Sequence, residues 1–545
     1  MRKQLQYLLL GFLLIHLSIK LNAQIPAFEI GKHAPPPEAK KKKNYYSNLI
    51  ASTEDEFLVA DRTSKGQIYT AYNTATLKMK ETFTLDYPQV QDRDVDWVKR
   101  LFRTEETTSI YGYYNRKDDI NTVYGKITSR NGKEIVKEKV LAKITASKKK
   151  YIGNLGQVLS KDQSKILIYR ELTAKESEVE EIELWLYDDQ LNRIYKKTMS
   201  FPYKNKQFTI QDYLVTNDGE VIIIAYWSPS REEMKLNPDT KNVLNFKVFG
   251  LTPDKEELEE ISITKKGTAL SSSNGWVLDS GEIIFTGYYR DGVDNRYQYG
   301  ANGIYYVKVN TKNWEIETSH FSKIPKEDLA RIFGAYASNE RQKKRAEKAA
   351  DGGAGLNQFI LRGVFYNDNG SVKIISQVEY MVRNCYTDPR THVQTCTYTF
   401  YNLQIIEFDL DAEGNIIQTI LIPKSQISNT PQLQGHISLL SDSKTYFVFN
   451  DADKNFDPKK LDKHHGDKFY YTFKGSKARL AYAYVTKKGE AKKKALINDA
   501  KNNLLIFPGE SIRVDRSTVI TWGQLKKGKE LLLVKFYLKE KEIKE

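Results

Sequence analysis

The chain has 545 residues, 12% of them aromatic (35 Tyr) and 28% charged, with a net charge of +15. That length suits two to four ordinary domains or one large repeat array, and the composition excludes a disordered or collagen-like chain. Tyr, Val, Ile and Thr favour a pleated, half-buried surface, so the balance points to β structure.

Residues 1–23 read as a cleavable signal peptide. Arg2 and Lys3 precede a short apolar run, LLLGFLLIHL (8–17), and Leu21-Asn22-Ala23 ends on a small residue. The run is too short to span a bilayer as a helix, and no cysteine follows it to mark a lipoprotein. Nothing later in the sequence approaches a transmembrane length. Residues 24–545 are expected to form one domain. Export makes nucleic acid an unexpected partner. The positive charge is read as a solvated, lysine-rich surface rather than a binding device, because lysines occur in nearly every turn.

A repeat begins after a Pro- and Lys-rich linker at 34–43 (APPPEAKKKK), where the ladder N–H is missing and like charges repel. TNDGEVIIIAYW (216–227) is its clearest unit: a polar turn, then a β-branched strand with an aromatic end. Comparable turns are centred on Asp55, Glu105, Asp162, Asp218, Asp279, Asp368, Asp442 and Asp515. A short run precedes each turn, among them VDWVKRLF (95–102), SSSNGWV (271–277), FILRGVF (359–365) and GESIRV (509–514). A third strand follows the turned one. In seven units a fourth, more polar strand such as LKMKETFTL (77–85) comes next, alternating as a one-side-wet strand should. The last unit lacks that strand, and IPAFEI (25–30) could supply it.

Four strands per unit is the pattern of a propeller blade. The expected fold is an all-β propeller of eight four-stranded blades, with seven as the alternative, its ring closed by the N-terminal strand. Closure would remove the free edges that invite aggregation. The turn aspartates are expected to bond their own backbone rather than to do chemistry.

Three segments interrupt the pattern. Residues 325–350 read as one helix with an apolar stripe at Leu329, Ile332, Phe333 and Tyr336, ended by DGGAG at 351–355. NCYTDPRTHVQTC (384–396) places Cys385 and Cys396 on either side of a turn, as a cross-strand disulfide. In 451–468, Asp451, Asp453, Asn455, Asp457 and Asp462 fall at positions 1, 3, 5, 7 and 12 of a calcium-loop count. Phe456 stands where that loop needs its glycine, and lysines with His464-His465 crowd it, so the spacing competes with a plain polar loop. No nucleophile elbow, metalloprotease helix motif or phosphate-binding loop is present. No catalytic or cofactor-binding residue is assigned.

The phrasing of LWLYDDQLNRIYKKTMSFPYKNKQFTIQDYLVTNDGEVIIIA (184–225), GANGIYYVKVN (300–310) and GLNQFILRGVFYNDNGSVKIISQVEY (355–380) resembles a group of exported, propeller-like proteins of Bacteroidota. The resemblance spans roughly residues 150–530 and lies in strand phrasing. It implies the fold and carries over no functional residue. The leader ending in NAQ also resembles that phylum's signals, and no C-terminal sorting domain is read after the last strand. The expected role is a non-enzymatic binding or scaffolding protein of the periplasm or outer membrane, with an envelope protein or a glycan as partner. The alternative is a carbohydrate-binding or glycosidase-type propeller using a central funnel.

Overall fold

The computed structural model describes residues 24–540 apart from 34–46, 63–66, 92, 104, 173–178, 237–244, 264, 266–267, 271–273, 279, 292–299, 335–339, 352–355, 357, 368, 430, 442–443, 457–477, 487–489, 498–503 and 526–529. The leader, the 34–43 linker, Asp279, Asp368, Asp442 and the distal part of the 451–468 loop therefore lie outside the described residues.

The chain is nearly all β. Eight antiparallel sheets of four or five strands follow one another in sequence, beside a minor hairpin of Gln89–Val90 and Arg93–Asp94. Among the described residues, the strands of each pair in chain order, except that the eighth takes its outer strand from the N-terminal end. The fourth is representative: Phe208–Val215, Val221–Trp227, Asn245–Leu251 and Glu259–Ile263. The turn of TNDGEVIIIAYW is closed by Thr216, whose Oγ1 accepts from the Glu220 N–H at 3.0 Å, with Gly219 at φ +92°. Only a residue without a Cβ takes that conformation cheaply.

The turn aspartates behave as expected at two sites. Asp162 accepts from Ser160 Oγ (2.6 Å) and the Ser164 N–H (2.9 Å). Asp515 accepts from the Ser517 N–H and Oγ. At Asp218 the neighbouring threonine does that work instead.

Second and third strands are buried on both faces and read as apolar runs; Val221–Trp227 is buried through its first five residues. Fourth strands are wet, as in Met79–Thr84, where only Phe83 is buried. The apolar faces meet between consecutive sheets. Leu186, Phe201, Phe249 and Leu251 join the third to the fourth. Tyr306 and Phe408 belong to one cluster between the fifth and sixth. Phe57, Val59, Ile520 and Trp522 join the eighth to the first. The outer position of the eighth sheet is taken by Gln24–Lys32, paired in register with Leu531–Glu540 from Gln24↔Glu540 to Lys32↔Leu532. His33 follows that strand and bonds Tyr72 Oη (2.7 Å) and Asp61 Oδ1 (3.1 Å), both in the first sheet.

Two first strands differ from the sequence reading. In the fifth sheet, Asn274–Val277 is the strand among the described residues of SSSNGWV, and Thr268–Leu270 supplies a second short segment. In the eighth, Pro508–Glu510 is a 3₁₀ turn, Ile512–Arg513 makes a short bridge, and Leu504–Ile506 forms the edge strand. Gly509 and Glu510 are taken up by that turn, so GESIRV does not run as one strand.

The single helix expected over 325–350 is two helices, Lys326–Gly334 and Glu340–Asp351. Leu329 and Ile332 are buried in the cluster between the fifth and sixth sheets, while the second helix is mainly charged and buries Ala346. The apolar stripe thus docks the first helix and ends with it. Tyr336 lies outside the described residues.

An antiparallel meander puts the turns between strands 1 and 2, and 3 and 4, on one side of the sheets. These are tight, such as 216–220 and 411–415. The other side carries the helices, the short 3₁₀ turn Asp453–Phe456 and a long two-stranded arm. That arm is the extension of Val372–Thr387 and Gln394–Leu410 beyond their sheet, with Cys385 directly opposite Cys396 and the two bonded.

Candidate functional site

A channel of about 1310 Å³ runs along the first strands of the sixth, seventh and eighth sheets and reaches Trp276 of the fifth. This exceeds the range of about 300–1,000 Å³ typical of small-molecule pockets. Its wall is built from short strands with local irregularities. Phe359–Tyr366 pairs with Val372–Thr387 through a bulge between Leu361 and Gly363, leaving Arg362 as the extra residue. A bulge re-aims a side chain in this way. Arg362 Nε donates to Glu379 Oε1 at 2.5 Å, and its Nη2 donates to Oε2. Gly363 leaves room for the Phe365 ring, since a Cβ there would come within 2.8 Å of it.

Arg513 stacks over that ring, with its guanidinium carbon 5.0 Å from the ring centre. It donates to three backbone carbonyls: Ser438 (2.7 Å), Arg516 (3.1 Å) and Asp515 (3.2 Å). No carboxylate hydrogen-bonds it among the described residues. Surrounding protein lowers its pKa to about 10, against the opposing pull of Asp515. The residue is nevertheless exposed, at the channel wall.

Behind the wall, an amide scaffold holds the 431–436 segment. Gln426 Oε1 accepts from the Gly435 N–H (2.9 Å), and Asn450 Nδ2 donates to Leu433 O (2.9 Å) and Ile506 O (2.8 Å). Lys424 Nζ, fully buried, donates to Asn402 Oδ1 (2.7 Å) and Gln426 Oε1 (2.8 Å). Burial holds its pKa well below the lysine range, partly opposed by Glu379 and Asp451. His436 faces the channel and donates from Nδ1 to Gln377 Oε1 at 2.6 Å. Burial, then the positive charges of Lys424, Arg362 and Arg513, hold it well below the usual histidine range. The imidazole is neutral at neutral pH.

Aromatic faces complete the lining. Tyr380 stacks on Tyr401 with ring centres 4.5 Å apart, and Trp276 lies 5.5 Å from Tyr366 with 46% of its surface exposed.

The calcium-loop candidates are partly occupied by cations of the protein. Asp451 is buried and paired with Lys493 (2.5 Å), and Asn455 Nδ2 donates to Asp451 Oδ1 (2.8 Å). Asp453 pairs with Arg479. Asp457 and Asp462 lie outside the described residues. Ser47, His33 and Asp61 have the residue types of a catalytic triad but not its geometry. The serine and the aspartate both approach His33 Nε2, and all three are buried. A base needs one ring nitrogen for each partner. Outside the channel lining, burial and then Glu171 push Glu180 up to about 7.

Sequence reasoning quoted the strands that line the channel without singling out their arginines. The available signal was a cation inside a first strand: Arg362 in FILRGVF and Arg513 in GESIRV, at positions where most other copies are apolar or uncharged. A third copy carries the same signal for a structural reason. Arg100 in VDWVKRLF donates to Tyr69 Oη and to the Leu85 and Asp86 carbonyls.

No family model matches the chain, and no curated protein matches it. Among solved structures it is similar to a prolyl endopeptidase, at 7% identity and TM-score 0.37, over 89% of this chain and 55% of that one. It is also similar to a PL25 ulvan lyase (8%, TM-score 0.33, 87% and 96%) and a Synechocystis apocarotenoid oxygenase (7%, TM-score 0.31, 72% and 75%). The chain spans about half the length of the prolyl endopeptidase. At scores this low none of these likenesses bears on what the chain does.

Proposed function

We propose that the eight sheets are the blades of one closed propeller domain, and that the protein is an exported, non-enzymatic binding protein of the cell envelope that takes its ligand in the central channel. In-register pairing of Gln24–Lys32 with Leu531–Glu540, and the bonds from His33 into the first sheet, support closure. The leader-like residues 1–23 and the Cys385–Cys396 bond support an oxidising, exported setting. No described helix is long and apolar enough to cross a membrane.

One observation carries the binding reading. Both carboxylates lining the channel are committed, Glu379 to Arg362 and Asp515 to its own turn. Neither is poised as an acid or base, while aromatic faces and arginines are displayed. Gly509 offers a clean test, because it lines the channel and nothing stands within 4 Å of a Cβ built there. Residues 24–545 and their G509W variant should be compared on a glycan array and against chromogenic glycosides. Binding by the parent, its loss in G509W at unchanged melting temperature, and no turnover are expected. Binding that survives in G509W would overturn the channel reading, and turnover would overturn the non-enzymatic one.

A further inference from the structure

We propose that the channel binds an acidic saccharide, its carboxylate or sulfate seated on Arg513 and its sugar rings on the aromatic wall. This rests on the channel-binding reading above. Four cations line the channel (Lys161, Arg362, Arg513, Arg516) against two acids. Glu379 cancels Arg362, and Asp515 is turned into its own loop. Arg513 is left as a charge that the fold holds in place and does not neutralise.

Its geometry suits an incoming anion. Three backbone carbonyls and the Phe365 ring fix the guanidinium, so little side-chain freedom remains to be lost on binding. Carbonyls orient a cation without cancelling it, and part of the five-donor fork stays unspent. Burial pushes the neighbouring His436 and Lys424 toward their neutral forms, and Arg513 adds to this for the histidine alone.

Charge alone would also admit inorganic phosphate or sulfate. The channel is far larger than such an ion, and Trp276 and the Tyr380–Tyr401 pair present flat apolar faces that a bare anion cannot use. Sugar rings carry C–H faces that stack on aromatics, and an anionic substituent supplies the charge. A neutral glycan would leave Arg513 unanswered.

The test is calorimetric titration of residues 24–545 with four probes: an oligogalacturonate, a chondroitin sulfate oligosaccharide, a cello-oligosaccharide of equal length, and inorganic sulfate. The first two separate a carboxylate source from a sulfate ester. At least one acidic oligosaccharide should bind tenfold or more tighter than the neutral one, and more weakly as NaCl is raised. Arg513→Gln should weaken it about 10- to 100-fold, the range for losing hydrogen bonds to a charged group. If R513Q melts early, the salt titration of the parent and the variant R516Q at the channel mouth decide instead. Equal binding of the neutral chain, insensitivity to salt, or undiminished binding by a folded R513Q would overturn the proposal. So would inorganic sulfate binding as tightly as the oligosaccharides. Neutral-glycan binding that disappears in G509W would remove the acidic class and leave the channel reading intact. Acidic-glycan binding indifferent to G509W would remove the channel reading itself.

Discussion

Replacing both cysteines with serine (C385S/C396S) should loosen the arm while leaving the sheets intact. The bond closes a loop of sequence separation 11, for which loop-closure entropy gives about 3 kcal/mol. Beyond the bond the arm buries little. Tyr386 and Val393 are 65% and 59% exposed, and the tip is held by its ladder to Thr387↔Gln394 and by the Asp388 cap on Arg390 and Thr391. The base is held separately. Phe400–Asn402 pairs with Gln426–Ser428, and Tyr380 stacks on Tyr401. The lost stabilisation should therefore appear as local opening, with amide exchange over 384–397 accelerated about 100-fold, since each 1.4 kcal/mol is tenfold. Exchange over 400–404 and the global melting temperature should stay unchanged, as should binding in the channel. Hydrogen-exchange mass spectrometry on the parent and the variant reads all of this. An unchanged tip, or a melting temperature lowered by several degrees, would refute the separation of arm from sheet.

Three further outcomes are expected. Burial raises the Glu407 carboxyl, which shares Lys373 (2.8 Å) with Asp409, leaving two acids on one ammonium. The folded state then holds a proton more tightly than the unfolded one. The stabilisation is complete below the ordinary carboxylate range near 4.5 and is lost as pH rises through about 7. Melting temperature should fall between pH 5 and 8, and E407Q should flatten that profile. Gly250→Ala would set a Cβ 1.9 Å from the Trp314 ring, a buried side chain on backbone at φ +55°; overpacking should cost about 1–3 kcal/mol by chemical denaturation. Leu329→Ala removes the apolar anchor of the first inserted helix and should cost about 2–5 kcal/mol, with faster proteolysis inside 326–351.

How much of this was legible follows from what repeats. The turn and second strand of TNDGEVIIIAYW recur because each sheet needs a tight reversal followed by a strand buried on both faces, so periodicity found them. First strands were harder. They are short, and in 509–514 the apolar pattern did not show where pairing breaks. The sequence reads as one helix because Leu329 and Ile332 set a stripe that Tyr336 and the alanines continue in pattern, which outweighs the stop signal of Gly334 and the cap types Ser338 and Asn339. The disulfide was legible because a turn between two strand-like runs puts Cys385 opposite Cys396. The channel was not, because its wall joins Trp276, Arg362, His436 and Arg513 across four sheets and no local spacing links them.

The same reasoning separates two meanings of positive charge. Most lysines sit where water and acids answer them. Lys255 pairs with Glu259 and Lys308 with Glu282 and Glu317, while the wet outer strand Ala491–Ala495 carries three lysines in a row. Such charges set solubility and are screened within about 8–10 Å at ordinary ionic strength. Arg513 differs in kind. It lines the channel, fixed by carbonyls and a ring, with no carboxylate hydrogen-bonded to it among the described residues. A sum over the sequence weighs it as one of 84 basic residues. Removing a surface pair such as Lys308 and Glu282 should leave the salt dependence of ligand binding unchanged, whereas removing Arg513 should abolish most of it. Titration at two NaCl concentrations separates the cases, and an equal effect from both would show that bulk charge, not the channel, governs recognition.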